Sequence, residues 1–260
     1  MRLTVLGRSP ATPNPGEACA GYLVEGGGAR VLIDCGSGVI AQLLRVRRAR
    51  ELGAVIISHM HPDHMLDLVT LRVTWWLEAP RRGDRLRVIL PPGAGDQILD
   101  LAKGAGERRY FDKSFDIAEH DGAGALEFAS LRLEPVRVQH YIPTWGFRIT
   151  AAGSGEDHRR RLAYSADSGP CDALADLADG ADLFLCEAAL RSLDDEAPPP
   201  APRGHLLASE AGAAARDAGA RRLLLTHLPT AEGATSATDD AASAFGGPTE
   251  VAQPLGSYRI

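Results

Sequence analysis

Ser58-His59-Met60-His61-Pro62-Asp63-His64 sets three imidazoles and one carboxylate within six residues, directly after the apolar run Ala54-Val-Ile-Ile. A continuous run of that kind reads as a strand buried on both faces, which needs helices to cover it, so the stretch points to an α/β architecture. Zinc-type ions take neutral imidazole nitrogen and carboxylate oxygen. The i, i+2, i+4, i+5 spacing lets one tight loop project two histidines one way and the Asp-His pair another. Two adjacent metals are the expectation from that split. A His-rich surface loop opening a helix, with Asp63 as its cap, is the competing reading.

Outward from this loop, short apolar runs bounded by turn residues read as strands. Tyr22-Leu-Val-Glu25 and Arg30-Val-Leu-Ile-Asp34 form a hairpin around Gly26-Gly-Gly28. Further strands are expected at the N-terminus and at 54–58, 86–90, 131–138, 162–165, 183–186 and 223–226. Helices are expected at 39–50, 63–77, 96–105, 171–178 and 209–218. In the 63–77 stretch, Leu66, Val69, Val73 and Trp76 share one face while Leu68, Leu71 and Trp75 make the other apolar too. Such a helix is buried, or it covers a pocket or a partner, and it fits a homodimer interface. Ala197-Pro-Pro-Pro-Ala-Pro202 reads as a stiff surface loop, either a lid or a plain connector. No composition break divides the chain, so one domain over 1–260 is expected.

Composition narrows the function classes. A chain of 260 residues, 45% hydrophobic, buries enough surface for a sizeable core. The 28 basic residues are outnumbered by 34 acidic ones, and the net charge of −6 disfavours nucleic acid and anionic membranes. No apolar run has the length of a membrane span, and the N-terminus reads as a strand; a cytoplasmic location is the expectation. Cys19, Cys35, Cys171 and Cys186 form no C-x-x-C pair and read as reduced thiols. The arginines at 45–50 and 81–87 read as solvated faces, and His120 and His158 as exposed bystanders.

Two metals need more ligands than one loop supplies. His140, Asp167 and His227 each follow closely on a strand run, and strand ends at one edge of a sheet collect into one site. The order His-x-His-x-Asp-His, distant His, Asp, final His resembles the metallo-β-lactamase superfamily, with all seven positions present. Leu32-Ile-Asp-Cys-Gly36, Tyr164-Ser-Ala-Asp-Ser168 and Leu224-Leu-Thr-His-Leu228 carry the resemblance along most of the chain. It implies an αββα sandwich. It also implies one metal on His59, His61 and His140, a second on Asp63, His64 and His227, and Asp167 bridging both. Zinc is the first choice, with manganese and iron open. Such ions lie about 3.5–4 Å apart and share a hydroxide nucleophile. Asp34 reads either as the partner that orients a ligand histidine or as a turn-stabilising aspartate.

Within the superfamily the resemblance is to the ribonuclease Z-like branch. It rests on Asp182-Leu-Phe-Leu-Cys-Glu-Ala-Ala189, Gly204-His-Leu-Leu-Ala-Ser-Glu-Ala-Gly212 and the segment from His140 to Arg148. It implies that Glu187 and His205 form a proton-donating pair at the scissile phosphate, with Asp63 a further catalytic candidate. Only about fifteen residues separate Thr150 from Tyr164, where tRNA-processing members carry a long arm. The sequence is similar in layout to armless cyclic-nucleotide phosphodiesterases, so the expected substrate is a small phosphodiester. A ribonuclease Z-like endoribonuclease, an acyl hydrolase of lactones, thioesters or β-lactams, and a metal-binding non-enzyme stay open. Tyr141, Thr144 and Trp145, just past His140, either line the pocket or pack.

Overall fold

Alternating apolar strands build two seven-stranded sheets that face each other, with helices covering both outer faces. The computed structural model describes residues 1–151, 160–195, 203–229 and 234–260. The proline-rich 197–202 segment, His158 and Gly153-Ser-Gly155 fall outside the described residues. The N-terminal half contributes β1 (Arg2–Gly7), β2 (Gly21–Gly26), β3 (Ala29–Ile33), α1 (Val39–Val46), β4 (Ala54–Ile56), α2 (Pro62–Met65), α3 (Leu68–Glu78), β5 (Leu86–Leu90), α4 (Gly95–Gly104) and β6 (Phe115–Glu119). The C-terminal half contributes β7 (Leu126–Phe128), β8 (Leu131–Val138), β9 (Thr144–Ala151), β10 (Arg160–Tyr164), α5 (Ala173–Leu177), β11 (Leu183–Glu187), α6 (Ala208–Asp217), β12 (Leu223–Thr226), α7 (Ala234–Phe245), β13 (Thr249–Val251) and β14 (Ser257–Arg259). The first sheet runs β14-β1-β2-β3-β4-β5-β6 and the second β13-β12-β11-β10-β9-β8-β7. This is the expected αββα sandwich.

Side-chain alternation sorts the core into three layers. Val31 and Ile33 of β3 point between the sheets with Tyr22, Ile56, Phe147, Tyr164 and Leu185. Leu32, between them, points outward with Val55 and Val88 against Val39, Leu43, Leu68 and Leu71 of the helices. Across the molecule, Ala163, Phe184 and Cys186 meet Leu174, Leu177, Ala211 and Ala215. Each large side chain so buried stabilises the fold by about 1.5–3 kcal/mol.

Strand direction decides where the loops collect. β3 to β6 are parallel, so Asp34 and the 58–64 stretch leave the first sheet at one edge. β8 and β10 both run antiparallel to β9, and β10, β11 and β12 are mutually parallel. His140, Asp167, Glu187 and His227 therefore leave the second sheet together.

Several expected elements differ in extent. The 39–50 helix stops at Val46, where Arg47 turns extended and donates to the Glu25 carboxylate, and a single tight turn covers Ala49–Glu51. The 63–77 helix is broken between α2 and α3, and Asp67 at the break accepts a hydrogen bond from the Ile40 backbone at 2.8 Å. Its two apolar faces have separate fates: Leu68, Leu71 and Trp75 are buried, whereas Leu66, Val73, Trp76 and Leu77 are exposed. His120 is not an exposed bystander. It is buried edge-on against Trp145, with ring centroids 5.3 Å apart. All four cysteines are unpaired. Among the described residues, no helix is long and apolar enough to cross a membrane.

One close approach fixes the helix that carries Asp63. A Cβ on Gly36 would stand 1.8 Å from the Asp63 carbonyl oxygen. Backbone meets backbone there, so no rotamer relieves the clash. Gly36→Ala is expected to destabilise the fold by about 3 kcal/mol, read as a lower urea midpoint at unchanged slope.

Candidate metal centre and cleft

The loop after β4 and the first turn of α2 hold His59, His61, Asp63 and His64, and Pro62 opens that turn at a position where a missing N–H costs nothing. His140 follows β8, Asp167 follows β10 and His227 follows β12. Their donor atoms converge in two groups that share Asp167: His59, His61, His140 and Asp167 in one, Asp63, His64, Asp167 and His227 in the other. His59 Nε2 and His140 Nε2 each lie 3.1 Å from His61 Nδ1. Asp167 Oδ2 faces this first group, 3.7 Å from His59 and 3.9 Å from His140. Its other oxygen, Oδ1, faces the second group, 3.1 Å from His64 Nε2 and 3.5 Å from His227 Nε2. Asp63 Oδ2 completes that group, 3.2 Å from His227 Nε2 and 3.5 Å from His64 Nε2.

These separations are a test of fit. An ion bound at about 2.0–2.1 Å by tetrahedral donors sees those donors about 3.4 Å apart. The observed distances bracket that value in both groups. Charge gives a second test. Asp34, Asp63 and Asp167 are all buried, and among the described residues no lysine or arginine pairs with any of them. Buried carboxylates at this density call for cations. The donor set thus fits two divalent ions.

The proton equilibria point the same way. Burial holds His59 well below the usual imidazole range and pushes His140 down to about 4, leaving both neutral as ligands must be. Burial also disfavours a charged His64, yet the Asp167 and Asp34 carboxylates on either side of its ring outweigh that and hold it well above the usual range. Burial would raise Asp167, but His227 and His64 bring it well below the ordinary carboxylate value. The two carboxylates that act on His64 in this way are negative charge that a divalent ion would meet.

Outer partners fix the rings. His64 Nδ1 pairs with Asp34 Oδ2 at 2.8 Å, His140 Nδ1 donates to the Gly204 carbonyl at 2.7 Å, and His59 Nδ1 lies 3.0 Å from Ser58 Oγ. Asp34 also accepts from the Ser58 backbone N–H (2.7 Å), the Ser58 hydroxyl (2.9 Å) and the Tyr164 hydroxyl (2.7 Å). Both sequence readings of Asp34 hold: it orients a histidine and ties down a turn. Asp34, Ala166 and His227 all take positive φ (58°, 53° and 57°), so backbone strain gathers where strands hand residues to the site. Asp34→Asn tolerates that backbone but sets an amide against a ring of donors. Metal affinity is expected to fall about 10–100-fold with the fold retained, measured by chelator competition beside a thermal melt.

Glu187 ends β11 and lies wholly buried. Its Oε1 accepts from the Ser168 backbone at 2.9 Å and pairs with His205 Nδ1 at 2.8 Å, while Oε2 accepts from the Ala189 backbone at 2.8 Å. His205 stacks near His227, with centroids 5.7 Å apart. A cleft of about 530 Å³ opens over these groups, lined by His61, Asp63, Asp167, His205 and His227 together with Tyr141, Arg191 and several small apolar residues. Thr144 and Trp145 are buried instead; only Tyr141 of that trio faces the cleft. Among the described residues, the structure thus brings the seven expected ligands together with Glu187 and His205. Ser58, Tyr164, Ser168 and the Gly204 carbonyl were not foreseen.

The beta-lactamase superfamily domain model matches residues 29–228. An uncharacterized Mycobacterium tuberculosis protein, Rv1339, is 34% identical over 251 residues, covering 95% of this chain and 88% of its own. The ribonuclease Z of Ignicoccus hospitalis is 30% identical over 271 residues, covering 87% of each. The crystal structure of the metallo-beta-lactamase fold protein YhfI from Bacillus subtilis superposes with a TM-score of 0.84 at 26% identity, covering 99% of this chain and 98% of its own. By the family match, the relatives and the fold, the chain belongs to the metallo-β-lactamase superfamily.

Proposed function

We propose that this chain is a metal-dependent phosphodiesterase acting on a small phosphodiester, with a cyclic nucleotide as the first substrate to test. The observation that carries the reading is the Glu187–His205 pair, seated beside the shared-carboxylate donor set in one cleft. Two divalent ions in that set would supply Lewis-acid polarisation of a phosphoryl oxygen and acidify water at neutral pH. His59, His61 and His140 would hold one ion, and Asp63, His64 and His227 the other, with Asp167 shared. Glu187 fixes the tautomer of His205 by accepting from Nδ1, so Nε2 is the nitrogen that exchanges a proton with a bound ligand. As a water oxygen bonds to phosphorus and the P–O bond to the alcohol breaks, His205 gives its Nε2 proton to the departing alcohol oxygen and regains one from solvent, and the Glu187 carboxylate stabilises the imidazolium before the transfer. A thioester's thiolate has less use for such a donor, whereas a lactone alkoxide or a β-lactam nitrogen would draw on it as well, so acyl substrates belong in the test.

A ribonuclease Z-like activity is the second reading, favoured by the Ignicoccus relative's name. Against it stand the net charge of −6 and the eight residues between Ala151 and Arg160, too few for a tRNA-gripping arm. The discriminating experiment gives the metal-loaded protein 3′,5′-cyclic AMP, a precursor tRNA and a lactone-thioester panel. The highest kcat/KM is expected on the cyclic nucleotide. Faster cleavage of the precursor tRNA or of an acyl substrate overturns it.

A further inference from the structure

Tyr141 stands out in the cleft because the proton-transfer chemistry does not use it. The residue is 47% exposed, although it lies beside a buried centre. Gly204 seats the ring: a Cβ there would come within 2.4 Å of the ring carbons, so the ring packs directly on that backbone. The same residue's carbonyl accepts from His140 Nδ1 at 2.7 Å. The ring lies with its centroid 4.9 Å from that of His140 and 5.7 Å from that of His205. The ring thus packs on the Gly204 backbone, one residue from a proposed metal ligand and next to the proposed proton donor.

The rest of the lining says what such a plane would meet. Pro10, Ala11, Pro62, Ala189, Leu190 and Pro229 offer little to a charged group. Among the described lining residues, Arg191 is the one arginine or lysine. A second phosphate, or a run of RNA backbone, would find few partners there. An uncharged planar ring would bury apolar area and stack on the Tyr141 ring.

Resting on the phosphodiesterase reading, we infer that Tyr141 is a specificity-determining residue that selects phosphodiesters by a planar aromatic group, a nucleobase or an aryl ring, on the ester arm that is not the leaving group. Gly204 is its positioning residue.

Three diesters with the same p-nitrophenolate leaving group test this: methyl, phenyl and thymidine-5′ p-nitrophenyl phosphate. The shared leaving group keeps bond cleavage alike, so the ratios of kcat/KM report recognition. Wild type is expected to prefer an aromatic diester over the methyl diester. Tyr141→Ala should reduce that ratio about tenfold, chiefly through KM, while Tyr141→Phe retains it. Gly204→Ala, which displaces the ring without removing it, should reduce the ratio as well. Metal content and a thermal melt of each variant separate recognition from damage to the His140 side of the site. Preference confined to the thymidine ester identifies a nucleobase as the ligand, and preference confined to the phenyl ester an aryl group. A ratio unchanged in Tyr141→Ala, or a wild type without aromatic preference, overturns the inference. Absence of turnover on all three diesters above an Asp63→Ala background defeats the phosphodiesterase reading itself.

Discussion

Asp167→Ala is expected to lower bound metal from about two ions per chain to one or fewer and to reduce hydrolysis at least about 10³-fold. The reason is the way its two oxygens divide. Oδ2 faces the His59 and His140 nitrogens, and Oδ1 faces those of His64 and His227. Among the described residues, no other side chain belongs to both donor groups. Without it, the first group keeps three neutral imidazoles and no charge, and the second keeps Asp63 as its one carboxylate. Asp167→Asn preserves the volume and one acceptor oxygen, so it should retain the fold while losing most of the second ion. Elemental analysis on protein purified without chelators, beside steady-state rates, checks both variants. Full occupancy in Asp167→Ala would contradict the shared-carboxylate geometry.

His205→Ala should separate substrates by their leaving groups. A ribose alkoxide departs with difficulty unless protonated, and a positioned general acid contributes about 10²–10⁴-fold to such a step. A p-nitrophenolate departs without that help. The variant is therefore expected to lose about 10²-fold or more in kcat on a cyclic nucleotide and far less on a p-nitrophenyl diester, with metal content unchanged. Glu187→Gln should follow in the same direction, because all of its oxygen partners are donors and an amide group there faces one of them. Loss on both substrates to the same extent would mean that His205 serves binding or structure.

Much of this site was legible because its signal is local. His59, His61, Asp63 and His64 announce themselves through spacing alone, and the strand ends at His140, Asp167 and His227 follow from where apolar runs stop. Glu187 and His205 were legible only through family resemblance, since a glutamate at a strand end carries no chemical signature. What escaped is tertiary. Tyr164 donates to Asp34 across 130 residues of chain, and Gln139 reaches the Arg203 backbone across 64. No periodicity encodes such pairings. His120 belongs with these: outside the ligand pattern it reads as exposed, and only the tertiary contact with Trp145 shows it buried. β9 was missed because Gly146 interrupts its pattern, and that glycine lies where a Cβ would approach the Tyr164 carbonyl at 2.6 Å. The helix break at Asp67 is likewise a tertiary event, set by the Ile40 amide that its carboxylate captures.

The most direct test of a two-metal phosphodiesterase is the steady-state rate of bis(p-nitrophenyl) phosphate hydrolysis by metal-loaded protein, with Asp63→Ala as the control for contaminating activity. The expected result is saturable turnover that is lost in Asp63→Ala and abolished by chelation, then restored by added divalent metal. A wild-type rate no higher than that of Asp63→Ala would contradict it.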